Sequence, residues 1–484
     1  MILGITAQNH DASMALIDGP DILWAAHSER YSRNKNDPFL NSHMIDDMYQ
    51  YGTPTEVVWF EKPLTKSLRK LYSGQRPWVC RPKNELALVG LNHLPVEYVG
   101  HHESHAAAGF YTSKFYEASI LVVDAVGEWD TVSIWHADNL GLTKIYSKKY
   151  PNSMGLFYTA FTEYLDLKPN EEEYILMGMA AYGKPVHVDR IKEDFFKEFT
   201  GPDFKLKHNL HNGCRWWEMP DHANPFDIAA SVQAIMEEYL LATTKWILNR
   251  LPSKNLVFMG GVALNCVANS IIAKESGFSS VWIMPNPGDS GSAIGAVAAY
   301  TEQRLDWRTP YLGTDIDRNL NVEKIVDELL NKQIVGVANG RAEFGPRALG
   351  NRSLLCDPRG NNAKQKMNRI KKREEFRPFA PAILEEHADT YFEMPVASSP
   401  YMQFVARCRQ PALTPGICHV DNTSRVQTVN YADNPNFRAI LELWYEKTGC
   451  PMLMNTSLNI KGEPLVNSWA DAKRFQDKTN IRVF

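Results

Sequence analysis

The stretch NLVFMGGVALNCVANSIIAKESGFSSVWIMPNPGDSGSAIGA, Asn255–Ala296, decides the fold. Its apolar run NLVFMGG (255–261) reads as a strand that closes on two glycines and opens into a helical pattern over 262–276. A second apolar run, SSVWIMP (279–285), closes on Pro-Gly-Asp-Ser-Gly and opens into a second helix over 290–304. One glycine pair after a strand is ordinarily a turn. Two strand–glycine–helix units in succession imply an α/β sheet whose ligand lies at the strand ends, where helix N-termini offer backbone N–H groups to a phosphate or ribose. Gly260, Gly261 and Asn265 are the candidates for that contact.

Outward from this stretch the same grammar continues. The chain opens with short strands ILGIT, SMALI and ILWAAH, joined by the polar turns QNHD and DGPD. Strand-like runs recur at 96–100, 119–125 and 131–137, and helical patterns at 154–166 and 226–250. Around 307–320 the pattern lapses into turn residues, so a boundary is expected near 305–325. It divides a 1–310 domain from a 325–484 domain that begins with the strand KQIVGVANG. A length of 484 residues also calls for two cores. Hydrophobic and charged contents of 44% and 22% fit an ordinary globular protein, and a net charge of −4 argues against a broad nucleic-acid surface. No run is apolar enough for a membrane span and the N-terminus lacks the basic start of a signal peptide. Seven scattered cysteines without a CxxC pair fit reduced thiols, so a cytoplasmic location is expected. Cys418 beside His419 reads as a buried thiol rather than a nucleophile.

Three places carry chemistry. In HHESH, His101 and His105 stand four apart on an alanine-rich helical segment, which sets both imidazoles on one face about 6 Å apart, within reach of one metal ion. Asp124, ending SILVVD, and Asp289, in a glycine-flanked loop, could add oxygens. Such a mixed set suits Fe(II), or Zn(II). The pair could equally cap or pack a helix, and His102 offers a second register. His10, on the first turn with Asp11 and Ser13, could take the proton of an attacking hydroxyl, or be a polar turn residue. Finally, NGRAEFGPRALGNRSLLCDPR (339–359) packs Arg341, Arg347, Arg352 and Arg359 among the glycines Gly340, Gly345 and Gly350. Arginine grips anions with paired hydrogen bonds, and this stretch reads as an anion-handling site, with a second at KKREEFRPFAP (371–381).

GRAEFGPRALGNRSLLCDPR, KKREEFRPFAP, HVDNTSRVQTV (419–429) and MLMNTSLNIKGEPLV (452–466) resemble the C-terminal part of the O-carbamoyltransferases of the nodulation-protein, cephamycin and tobramycin type. NHDASMAL, GHHESHAAAGF, VVDAVGEWDT, MGMAAYGKP, GGVALNCVANS and PNPGDSGSAIGA resemble that family's N-terminal part, in the same order along the chain. The resemblance implies an actin-like (ASKHA) ATPase fold for residues 1–310 and a YrdC-like α/β fold for 325–484. It implies a metal held by His101, His105, Asp124 and Asp289. It also makes Asp227 and Glu173 acidic partners of the nucleotide ribose or the metal, His10 a neighbour of the acceptor hydroxyl, and Lys35 and Asp11 acceptor contacts. Arg347, Lys372, Arg377, Arg425, Asn455 and Ser457 are similar to the family's site for carbamoyl phosphate and ATP.

The activity so implied joins ATP, with Mg(II), to carbamoyl phosphate as carbamoyl adenylate, then transfers the carbamoyl group to a hydroxyl of a small molecule, sugar or nucleoside. The expected partner is that small-molecule acceptor. No membrane is expected, and no nucleic acid except as a modified nucleotide or base. A homodimer stays open. A tRNA threonylcarbamoyl transferase shares both fold types, but GPRALGNRS and MNTS speak against it. An actin-like kinase or regulatory nucleotide-binding protein has no use for HxxxH with paired Asp, since phosphoryl transfer needs Mg²⁺ on oxygen ligands.

Overall fold

The computed structural model describes residues 1–77, 79–219, 223–331, 334–360, 362–374 and 376–484. They form two compact units: Met1–Ser28 with Asn36–Trp307, and Glu29–Lys35 with Arg308–Phe484. The expected boundary near 305–325 treats the chain as crossing once. In the structure the segment 29–35 also belongs to the second unit, because its arginines find their partners there. Arg30 donates to Gly345 O at 2.8 Å, and Arg33 to Leu465 O at 2.6 Å and Pro464 O at 2.9 Å.

The first unit is built on two five-stranded sheets with one plan. In the first, β1 (Ile2–Thr6), β2 (Ser13–Asp18) and β3 (Asp21–His27) form an antiparallel meander, as the opening turns predict. The strands β4 (Glu56–Trp59) and β5 (Val96–Tyr98) then add in parallel beside β1. In the second, β6 (Ala118–Gly127), β7 (Asp130–Asp138) and β8 (Gly141–Lys149) repeat the meander. The strands β9 (Phe196–Thr200) and β10 (Asp203–Leu206) form a separate hairpin, while β11 (Asn255–Met259) and β12 (Ser280–Trp282) add in parallel beside β6. This duplicated order is the actin-like plan.

Two helices, His101–Thr112 and Ser292–Thr301, pack against each other and onto β11 and β1, respectively, and their small residues set the spacing. A Cβ on Gly295 would stand 1.9 Å from Ser104 O, one on Gly4 of β1 1.8 Å from Ala293 O, and one on Gly109 2.4 Å from Val257 Cγ1 of β11. Ala106, Ala107, Ala108, Ala293 and Ala296 fill the rest without projecting. The runs expected as helices at 154–166, 226–250 and 262–276 appear as Met154–Tyr164, Pro225–Leu248 and Cys266–Glu275, the last entered through a 3-10 turn at Gly261–Leu264.

The second unit has a five-stranded sheet ordered Val335–Ala338, Arg352–Cys356, Met452–Ser457, Ala380–Leu384, Gln427–Val429. Neighbours are antiparallel except the last pair. Alternation along its strands feeds two cores. Leu355, Leu384 and Leu453 meet Leu329, Phe437 and Trp444 on one face, while Leu354, Ile383 and Met454 meet Met367, Phe379 and Phe475 on the other. The strand expected at KQIVGVANG is Val335–Ala338, and Lys332 and Gln333 lie outside the described residues.

Because the helix pair tolerates no added atom, Gly295→Ala should lower unfolding stability by about 1–3 kcal/mol in urea titration. Gly288→Ala, where a Cβ meets nothing within 4 Å, should shift it by less than about 0.5 kcal/mol.

Candidate active site

His101 and His105 occupy the first two turns of the 101–112 helix and aim Nε2 at one point. Asp124 reaches that point from β6, and Asp289 from the 3-10 turn Asp289–Gly291 before the 292–301 helix. The two Nε2 atoms are 3.2 Å apart. Each lies 3.3–3.4 Å from Asp124 Oδ2 and from Asp289 Oδ1. All four ligand atoms fall within 4.8 Å of one another. Edges of this length are those of donor atoms about 2.0–2.3 Å from a common centre, the range of first-row divalent ions.

The remaining atoms of the four side chains are held by the protein. His101 Nδ1 lies 3.4 Å from Glu61 Oε2, and His105 Nδ1 lies 3.2 Å from Ser292 Oγ. Asp124 Oδ1 accepts from Ala125 N at 2.8 Å, and Asp289 Oδ2 from Asn9 Nδ2 at 3.3 Å. Partners of this kind fix ring orientation and leave Nε2 for the ion. Burial and the Asp289 charge oppose ionisation of Asp124, yet hydrogen bonds from both imidazoles hold it well below the usual carboxylate range. Asp289 is likewise held low against burial by the charge and hydrogen bonds of His101 and His105. The donor set fits a divalent cation, whose ligation would release the imidazole protons. His102 turns away, its Nδ1 2.8 Å from Ser133 Oγ, which disposes of the second register.

Glu61 is a functional residue that the sequence reading missed, although it follows the apolar run EVVWF much as Asp124 ends SILVVD. It is buried, bonded to Lys66, and held below its ordinary range despite burial by the Lys66 charge and by His101.

Gly260 and Gly261 serve this cluster directly. A Cβ on Gly260, at φ +90°, would stand 2.2 Å from Val123 O, and one on Gly261 3.1 Å from Asp124 Oδ1. Asn265 caps the 266–275 helix through Ala268 N at 3.1 Å and exchanges hydrogen bonds with Gln233. Asp227 Oδ1 accepts from Lys184 N at 2.8 Å, and Glu173 Oε1 from Thr159 Oγ1 at 2.9 Å and Asn170 N at 2.7 Å. Neither joins the four-residue cluster, so the reading of either as a metal ligand is corrected: Asp227 ties the 225–248 helix to Lys184, and Glu173 braces the turn at Asn170.

His10, its side chain 48% exposed, lies 3.1 Å from Asp11 Oδ2. Partial burial disfavours its charge. The hydrogen bond to Asp11 and the charges of Asp11, Asp289 and Asp124 outweigh that and raise it to about 10. Of the expected acceptor contacts, Asp11 sits in the first unit and the exposed Lys35 in the second.

In the second unit most of the arginines of 339–359 do something other than grip a ligand. Arg352, fully buried, spends its guanidinium on the carbonyls of Thr314, Asn339, Gly340, Asn351 and Asn467 at 2.9–3.2 Å. Arg341 clamps Leu312 O and Gly313 O, and Arg359 holds Asp357. Glycine-rich loops leave carbonyls without strand partners, and these side chains satisfy them. Arg347 is half-buried beside Ala348, whose carbonyl accepts from Asn455 Nδ2 at 3.1 Å.

Lys372, expected at the anion site, and its neighbour Lys371 take different directions. Lys372 is an exposed helix cap at φ +49°, whereas buried Lys371 points inward. Its Nζ donates to Ser457 O at 2.5 Å and lies 2.9 Å from Ser457 Oγ. Burial, then the charges of Arg373 and Arg377, push its pKa well below the usual lysine value. Arg377 pairs with Glu374 at 3.0 Å. Asn455 Oδ1 and Arg425 Nε are buried without a hydrogen-bond partner among the described residues, as atoms awaiting a polar ligand would be.

Residues 84–298 match the family described as carbamoyltransferase N-terminus, and residues 326–484 that described as carbamoyltransferase C-terminus. The chain is 34% identical to the uncharacterized protein sll1178 of Synechocystis sp., over 99% of this chain and 94% of that protein. It is 31% identical to nodulation protein NolO of Bradyrhizobium diazoefficiens, over 77% and 75%. It is 32% identical to the 3'-hydroxymethylcephem-O-carbamoyltransferase of Streptomyces clavuligerus, over 98% and 95%. The chain belongs to the carbamoyltransferase family and is an enzyme of that class.

Glu61→Gln keeps the shape but weakens the orientation of His101, so metal affinity in chelator competition should fall about 10–100-fold. His105→Ala should leave the purified protein without stoichiometric metal by elemental analysis.

Proposed function

We propose that this enzyme is an ATP-dependent O-carbamoyltransferase. Its C-terminal unit, read as YrdC-like, hydrolyses carbamoyl phosphate with one water to carbamate and phosphate, and the carbamate oxygen then attacks the α-phosphorus of Mg(II)-ATP to give carbamoyl adenylate and pyrophosphate. Its N-terminal unit transfers the carbamoyl group to a hydroxyl of a small-molecule, sugar or nucleoside acceptor, with AMP leaving. The observation that carries this reading is the His101–His105–Asp124–Asp289 cluster beside the Gly260–Gly261 turn, in a chain of the carbamoyltransferase family.

A divalent ion on that cluster, Fe(II) or Zn(II), would supply Lewis-acid polarisation of the carbamoyl carbonyl. Backbone N–H groups near Gly261 and the start of the 266–275 helix are suited to the adenylate phosphate, with Asn265 and Asp227 nearby in sequence pattern for the nucleotide. His10 takes the acceptor proton once it is neutral. The carboxylates that raise its pKa include Asp124 and Asp289, so a cation shared between those two lowers the barrier to that neutral form. Asp11, beside His10 in the same unit, is assigned to the acceptor.

In the C-terminal unit, two polyanions must be brought together, which needs several cations. Arg347, Arg377 and Arg425 supply them, with Asn455 and Ser457 as neutral hydrogen-bonding groups. Lys371 takes the place first given to Lys372, since it alone of the two reaches Ser457.

Incubation with ATP and labelled carbamoyl phosphate should yield AMP and carbamoyl adenylate, and a protein that forms neither overturns the reading. Lys371→Met should cut adenylate formation at least about 10²-fold, and Lys372→Met less than about threefold. Both should still transfer from supplied carbamoyl adenylate. Equal loss in the two variants would restore Lys372 to the site.

His10→Asn should retain metal yet slow transfer about 10²–10⁴-fold. Because the Asp11 hydrogen bond and charge still raise the His10 pKa when a cation screens Asp124 and Asp289, the wild-type transfer rate should climb as pH rises through the His10 pKa of the metal-loaded enzyme. The Asn variant should show a flat profile; a parallel climb in both would make His10 a turn residue only.

A further inference from the structure

The helix Pro63–Tyr72 wears its polarity inside out. Lys66 and Arg69 face inward at 1% and 4% exposure. Lys66 bonds to Glu61, and Arg69 Nε donates to Glu128 O at 3.0 Å. Leu64, Leu68, Leu71 and Tyr72 face outward at 74%, 55%, 58% and 68% exposure. Their spacing of four, three and one residues makes one continuous stripe. With Pro63 and Val79, the three leucines wall a shallow groove of about 400 Å³. The inward cations are accounted for by Glu61, which orients His101. Among the described residues of this unit nothing accounts for the leucines, and contiguous exposed apolar surface of this kind marks an interaction site.

The surroundings say what kind. From Lys62 to Asn84 the chain has seven lysines and arginines and no Asp or Glu. Lys62, Arg76, Arg81 and Lys83 are exposed around the stripe. A two-fold contact with a second copy would set these cations against their like. A ten-residue helix, about 15 Å long, also offers only a fraction of the roughly 800 Å² per partner that a stable dimer buries. Leucines ringed by cations match instead the boundary between headgroups and acyl chains of an acidic bilayer.

We propose that the Pro63–Tyr72 helix docks this enzyme on the surface of an anionic phospholipid bilayer. The attachment is peripheral, since no helix among the described residues is long and apolar enough to cross a membrane. The sequence expectation of no membrane partner rested on the lack of a span, which a docked helix does not need. The same helix braces Glu61 through Lys66, so docking sets the metal cluster behind one helix, about 10 Å thick, from the lipid surface.

The test is flotation of the full chain with phosphatidylcholine vesicles, with and without about one-third phosphatidylglycerol. The acidic vesicles should carry at least about tenfold more protein, and about 0.5 M salt should reduce this several-fold. The variant Leu64→Ser/Leu68→Ser/Leu71→Ser should lose at least about tenfold of that partition without a change in melting temperature, because the replaced side chains are exposed. Arg76→Glu/Lys83→Glu, made independently, should weaken it about tenfold and leave metal content unchanged. No flotation, equal flotation with neutral vesicles, or undiminished flotation of the leucine variant overturns the proposal. So does a wild-type dimer that the leucine variant converts to monomer in light scattering, or binding of an acidic amphipathic peptide in place of vesicles.

Discussion

Two carboxylates, Asp124 and Asp289, are brought to within hydrogen-bonding reach of the same two imidazoles in a nearly dry interior. Buried like charges are costly unless cations and hydrogen bonds compensate them. His101 and His105 do so from one side, and the carboxylate oxygens that face away are bonded to Ala125 N and Asn9. Much of the first unit follows from that requirement. Glu61 is needed to hold His101, Lys66 to hold Glu61, and a helix with its cations turned inward to supply Lys66.

The cluster also depends on how closely two helices can approach. His101 and His105 ride on one, and Asp289 immediately precedes the other. Gly295 against Ser104 O, and Gly4 against Ala293 O, hold them at a separation that any larger residue would widen. A ligand set with edges of 3.2–3.4 Å tolerates little such widening. Packing of small residues far from the imidazoles is thus part of the metal chemistry.

The second unit uses positive charge in two ways. Arg352 and Arg341 are consumed by carbonyls that a glycine-rich loop leaves without strand partners, and they make that loop a fixed surface. Lys371, beside Ser457 and near Arg373 and Arg377, is crowded by like charge and buried. An incoming anion would relieve that crowding, in exchange for one of the bonds that Lys371 Nζ makes to Ser457 and Asn459.

The sequence by itself determined the alternation of strands, glycine turns and helices. It placed the opening meander, two strands of the second and the Asn255–Ala296 units, because hydrophobic period and glycine position are local properties. It also singled out His101, His105, Asp124 and Asp289, whose residue types and helix spacing already carry the chemistry. Only the tertiary structure decided which cations are spent on backbone carbonyls. Arg352 and Arg347 look alike in NGRAEFGPRALGNRS, and Lys371 and Lys372 are adjacent. The direction of a side chain at a helix end turns on one backbone angle, the left-handed φ of +49° at Lys372, which no pattern of residue types reports. Glu61 was hidden for the same reason. A carboxylate after an apolar strand acquires meaning only when a histidine 40 residues further on folds against it.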